Sequence, residues 1–309
     1  MKLNKMKSLS KYIKEQLFIE SGHAVTASPI PAYITPLVYK EIEDNIHKYN
    51  KNIKMVPLGS LGKKKDEDFN GDIDIAIDIN NKNELLEMVK IVFPNSEVNP
   101  NTTPKIVSIN YEYNIKGVHD IAQVDFMFTN NIDWAKWRFS SPDLKNGESK
   151  YKAAPKVYLI QHIVSSIPVK DAKDEYFEDG VTVKRHWRYA FNQEGVFKQL
   201  EDYTGKKGPL KNPKKIKEFE ELVSNDPMNV MRFIFGNNDI DPKVFNSVEA
   251  LWKAIHSDKW PWGDGPLERT ERRFYKEYIN DPKCEVKVDS KDFPCKFYKD
   301  DGSYGVVRN

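Results

Sequence analysis

Cysteine is scarce in this chain. Cys284 and Cys295 are the only two in 309 residues. That excludes a disulfide framework, and with no ligand-spaced histidines beside them it excludes a structural zinc site. Reduced thiols in a cytoplasm are the expectation, with a single Cys284–Cys295 bridge left open. Long apolar runs are also missing. No stretch approaches the roughly 20 apolar residues that span a bilayer, so no membrane partner is expected. Residues 1–20 lack the unbroken apolar core of a secretory signal. Net charge is missing too: 48 Lys and Arg face 46 Asp and Glu, leaving +2. A global basic field for nucleic acid is therefore excluded, and local patches are not. Internal repeats and low-complexity tracts are absent.

What is present suffices for a core. Hydrophobic residues make up 39% of the chain and charged ones 30%, a polar composition with room for one large domain or two smaller ones. Thr35-Pro36 reads as N-cap and first helical residue. Val38, Ile42, Ile46 and Tyr49 then share one helix face. Asn83–Phe93 repeats the helical pattern and stops at Pro94. Met55–Leu58, Lys105–Tyr113 and Ile121–Phe128 read as strands, residues 95–104 as a polar loop and Gly117–Asp120 as a turn.

The informative stretch is Leu58–Ile79. Gly59-Ser60 follows the first apolar run, eleven residues intervene, and Asp72-Ile73-Asp74 then opens a second. Ile73, Ile75, Ile77 and Ile79 alternate with Asp72, Asp74, Ala76 and Asp78, the period of a half-buried strand. Period two puts Asp72 and Asp74 on one face. Neighbouring carboxylates repel unless a cation lies between them, and hard oxygen ligands suit Mg²⁺ or Mn²⁺.

Gly-Ser, a spacer, Asp-x-Asp and a later strand carboxylate, Asp125 in Ala122–Phe128, together resemble the polymerase-beta-like nucleotidyltransferase superfamily over roughly residues 36–130. The resemblance implies an α+β fold: a small mixed sheet with helices over residues 35–130. A basic amphipathic segment (1–20) and a linker (21–34) precede it, and a mostly helical substrate- or nucleotide-binding domain follows in 131–309. It implies that Asp72, Asp74 and Asp125 are catalytic and hold two divalent ions. It implies that the turn after the first strand opens a helix whose amides hold phosphates, with Gly59 and Ser60 on the β and γ phosphates. Lys63 or Lys64 would add a point charge. The expected reaction transfers a nucleoside monophosphate from an NTP such as ATP to an acceptor hydroxyl.

Beyond Asn131 the pattern changes. Asp133–Phe139, Tyr151–Ser166, Pro227–Phe235, Val244–Ile255 and Leu267–Ile279 read as helical. His162 lies on an apolar helical face and reads as a packing histidine. Lys184–Tyr189 interleaves Arg185 and Arg188 with Trp187 and Tyr189, the composition of a phosphate or nucleic-acid contact. Six lysines and no acid lie between Lys206 and Lys217. These local patches favour an RNA or tRNA 3′ end as acceptor. Transfer to a small molecule or a protein, and a non-catalytic nucleotide-, RNA-binding or virion protein, stay open. Met6–Tyr12 is similar to openings found in tailed-phage proteins, and Ile13-Lys14-Glu15 resembles a phage maturation-protease site. If the chain is phage-encoded, its expected location is the host cytoplasm.

Overall fold

The computed structural model describes residues 25–170, 175–176, 183–202, 214–236, 240–279 and 288–294. The basic segment 1–20, the Asp179-Gly180 turn, Lys206, Lys207, Lys211, Cys284 and Cys295 lie outside them. The fold is α+β. Two compact units divide at Met1–Lys152 and Ala153–Asn309, whereas the change of sequence pattern set the expected boundary after residue 130.

In the first unit a short pair, β1 (Ile30–Pro31) with β3 (Phe69–Asn70), stands apart from a five-stranded sheet. The sheet comprises β2 (Met55–Pro57), β4 (Ile73–Asp78), β5 (Val98–Thr103), β6 (Ile106–Ile115) and β7 (Val118–Thr129), in the order β2-β4-β7-β6-β5. Only β4 and β7 run parallel; the other pairs are antiparallel. Helices α1 (Thr35–Tyr49) and α2 (Lys82–Val92) pack on one face, and α3 (Ile132–Phe139) follows β7.

The strict alternation of β4 explains why two layers form. Ile73, Ile75 and Ile77 are fully buried with Val107, Ile109, Val124 and Phe126 in the main core. Each such side chain contributes about 1.5–3 kcal/mol on leaving water. The opposite face holds a smaller cluster of Leu58, Ala76, Met127 and Ala135. The sequence pattern misses two details. Val98–Thr103 is a strand rather than a polar loop, because pairing with β6 supplies what its side chains do not. Thr35 does not cap α1; its hydroxyl donates to Pro31 O at 3.0 Å.

Among its described residues the second unit adds to its helices a sheet that the sequence pattern did not show. It carries a four-stranded antiparallel sheet, β8 (Glu175–Tyr176), β9 (Val183–Phe191), β10 (Val196–Asp202) and β11 (Lys214–Ser224), in the order β11-β10-β9-β8. Charged strand residues hid it, since arginines and lysines at every second or third position blur a period of two. Helices α4 (Ala153–Ser166), α5 (Pro227–Phe235), α6 (Val248–Ile255) and α7 (Asp264–Phe274) complete the unit, with α4 packed on α7, α6 and β9. His162 of α4 is buried beside Tyr278, its ring centroid 5.6 Å away. Burial, seconded by Arg273, pushes its pKa down to about 4, so it packs as a neutral ring. No helix among the described residues is long and apolar enough to cross a membrane.

Candidate metal and nucleotide site

The parallel pairing of β4 and β7 brings Asp74 and Asp125 into direct register. In a parallel ladder, registered residues share a face. Asp74 and Asp125 therefore stand side by side, and Asp72, two residues before Asp74, joins them. One oxygen from each of the three carboxylates lies within 4.8 Å of the others. The same face carries Ser108, registered with Asp125 across β6, and Gln123, two residues earlier on β7. Gln123 Nε2 donates to Asp125 Oδ1 and Oδ2 at 3.1 and 3.2 Å. The Ser108 hydroxyl also bonds the carboxyl.

Electrostatics sets the character of the cluster. Asp125 is buried, and burial pushes its pKa up to about 6, with Asp72 adding to the rise and Ser108 and Gln123 opposing it. Asp74 keeps a window to solvent, yet its carboxyl lies well above the usual range. Desolvation is the chief cause, Asp72 and Asp125 add to it, and Lys152 opposes it. Like charges crowded in low dielectric resist joint ionisation. A divalent cation would relieve that repulsion, and an all-oxygen carboxylate set fits Mg²⁺ or Mn²⁺. These three residues would hold it.

Gly59 is built into the cluster. Its φ is +58°, and a Cβ there would lie 2.7 Å from Asp74 Oδ2, so only glycine fits both the conformation and the space. Leu58 N–H donates to Asp74 O at 2.9 Å, Gly59 N–H to Phe139 O at 3.1 Å and Ser141 N–H to Gly59 O at 2.9 Å. The Gly59 amide is thus spent on the last residue of α3. The turn that follows does not open a helix, unlike the resemblance-based expectation.

Ser60 Oγ donates to Asn70 Oδ1 at 3.1 Å, and Asn70 Nδ2 donates to Thr35 Oγ1 at 2.8 Å. Thr35 already donates to Pro31, so the chain runs one way and orients the buried Asn70 amide. The Lys63 ammonium donates to Ser141 O and the Lys64 ammonium to Phe69 O. Burial lowers both lysines. Lys64 falls to about 8, with Lys152 adding to the fall and Asp68 and Asp72 opposing it.

Arg185 and Arg188 lie on β9, in the second unit. Arg185 Nε is 3.7 Å from Asp202 Oδ2, and Arg188 Nη2 is 2.6 Å from Glu201 Oε1. Sequence reasoning missed Ser108, Gln123, Asn70 and Lys152. A serine or glutamine inside an otherwise apolar strand run was the available signal for the first two. Lys152 carried none.

No family model matches the chain, and no curated protein does. Among solved structures it is similar to polymerase beta of Leishmania infantum. The ternary P/T complex aligns at 14% identity and a TM-score of 0.41, covering 74% of this chain and 78% of that one. The ternary gap complex aligns at 14% and 0.42, covering 75% and 74%.

Proposed function

We propose that the chain is a metal-dependent nucleotidyltransferase that moves a nucleoside monophosphate from an NTP to an acceptor hydroxyl, an RNA or tRNA 3′ end. The observation that carries this reading is the β4–β7 register, which assembles three carboxylates from distant segments beside a glycine that fits no side chain. The acceptor oxygen forms a bond to the α phosphorus, the bridging bond to the β phosphate breaks, and pyrophosphate leaves. Bound Mg²⁺ or Mn²⁺ would supply charge neutralisation on the phosphates and ease deprotonation of the attacking hydroxyl.

The chain's residues supply the rest. Asp72 and Asp74 present carboxylate oxygens to the cation site. Asp125, which would share the cation with them, is also placed to accept the acceptor's proton. Lys63 and Lys64 place positive charge beside the Gly59-Ser60 turn for the leaving phosphates. Ser60 would exchange its bond to Asn70 for a phosphate oxygen. Of the two arginines expected to bind nucleotide or acceptor, Arg185 keeps that assignment, and Arg188 is held by Glu201. The setting is the cytoplasm, the host's if the chain is phage-encoded.

The test incubates the protein with Mg²⁺ or Mn²⁺, each α-labelled NTP in turn and total RNA. RNA labelled from one preferred NTP is expected, falling at least about a hundredfold in Asp74→Asn, the scale of removing one electrostatic element from such a site. Label on a small product or on the protein would replace the acceptor. No label in any arm, with nucleotide still bound, would overturn the reading.

A further inference from the structure

Strand alternation divides the basic-aromatic run of β9 between two faces. Arg185, Trp187 and Tyr189 share one face, and His186 and Arg188 the other. On the second of these faces Arg188 is bound to the nearly buried Glu201, which also accepts from Gln199 Nε2 at 2.9 Å. That face is a closed polar contact. The first face also carries an ion pair, Arg185 with Asp202 at 3.7 Å, and Glu221 stands opposite Lys198, but its centre is aromatic. Register with β10 sets Lys198 opposite Tyr189 and Leu200 opposite Trp187. The Lys198 ammonium lies 5.0 Å above the Trp187 ring.

The edge strand β11 adds a third ring by an irregular route. Its register jumps from Leu200↔Ile216 to Gln199↔Glu220, leaving residues 217–219 without partners. Such bulges re-aim side chains. Here Phe219 meets Trp187 edge-on, centroids 6.1 Å apart at 82°, while 46% of its surface stays exposed. A half-exposed phenylalanine held against a tryptophan beneath a lysine is poor packing and a good stacking surface.

We infer that this face of the β9–β11 sheet binds single-stranded RNA. Unpaired bases stack on Trp187 and Phe219, and Lys198 meets a phosphate between them. Every base has a π-face, so the contact tolerates sequence but requires bases free of a duplex. The cations of this face stand beside Asp202 and Glu221, so ring stacking, more than net charge, carries the contact. Only the description of this RNA as the acceptor rests on the proposed function; binding itself does not.

Fluorescence anisotropy of a labelled uridine oligoribonucleotide tests this. Phe219→Ala and Trp187→Ala are each expected to weaken binding about tenfold, the scale of one lost stacked base. Trp187→Phe should restore most of it. Phe219→Ala removes an exposed ring and leaves the fold intact, which a thermal melt verifies. Unchanged affinity in both alanine variants, equal affinity for a duplex of the same length, or a dimer dissolved by Phe219→Ala would each overturn the inference. Asp74→Asn should bind the RNA as the wild type does. If no transfer is found but binding depends on Trp187, the proposed function fails and this inference stands. Asp74-dependent transfer with binding indifferent to both rings is the reverse.

Discussion

The two units bury charge in their sheets in opposite ways. In the second unit Glu201, 4% exposed, faces Arg188 at 2.6 Å and Gln199 at 2.9 Å. Charge there is taken out of water together with its counter-charge. In the first unit Asp74 and Asp125 stand beside Asp72, all of one sign. Asp125 is held by amide and hydroxyl donors, and Lys152 supplies a field that opposes the rise of Asp74 without overcoming it. A paired buried charge is a structural element; a like-charged cluster is a cost that folding alone does not recover. The difference teaches where to look for a ligand. The first sheet has a deficit of positive charge that a divalent cation would remove, and the second has none at Glu201.

That contrast breaks or sharpens on measurement. The largest effect should come from the cation. With Mg²⁺ or Mn²⁺ at a hundredfold excess over its dissociation constant, wild-type protein should gain about 2.7 kcal/mol in urea unfolding, and Asp74→Asn much less. A wild type indifferent to both ions would remove the metal site. Next, Glu201→Gln keeps the shape but strips Arg188 of its counter-charge. It should destabilise the protein by about 2 kcal/mol, below the usual value for a buried pair because Arg188 is partly hydrated. Unchanged stability would make the two sheets alike.

Asp125→Asn should act in the opposite direction. In metal-free buffer at pH 7 it should stabilise the fold by something on the order of 2 kcal/mol. The native pKa of Asp125 is raised from 3.8 to about 6. Below 3.8 the carboxyl is protonated in both states and carries no penalty. As pH rises from 3.8 to about 6 the unfolded chain ionises first and native stability is lost; above 6 that loss is complete. A wild-type pH–stability curve with this fall, flattened in Asp125→Asn, checks the sign. Smallest is Gly59→Ala, expected to cost about 1 kcal/mol through its positive φ. Its new methyl, pressed on Asp74 Oδ2, should also shrink the stabilisation given by added cation in the same urea titration.

Much of the first unit was legible. Alternation over Ile73–Ile79 marked β4 and put Asp72 and Asp74 on one face. The 3.6-residue spacing of Val38, Ile42 and Ile46 marked α1. What failed has identifiable causes. Val98–Thr103 forms a strand because β6 pairs with it, a partner that no local pattern shows. The Gly59-Ser60 turn suggested amides open to phosphate, but the Gly59 N–H is taken by Phe139 O, eighty residues downstream. In the second unit the Lys184–Tyr189 run was noticed for its charge and aromatics, and its strand went unread. Arg185 and Arg188 looked equivalent until alternation separated them.

The sequence by itself determined the chemistry of the candidate site. Which residue types can hold a hard cation, that Asp72 and Asp74 share a face, and that glycine stands at position 59 are local facts, set by side-chain chemistry and the period of a strand. Tertiary structure alone decided the partnerships. Asp125 becomes the third carboxylate only because β7 pairs parallel to β4 in the register that sets it against Asp74. Asn70 orients Ser60 only because β3 pairs with β1. Arg188 is neutralised because β10 sets Glu201 diagonally across from it. Register and counter-charge are properties of pairs of distant segments. A sequence lists those segments, and only the packed core chooses among their pairings.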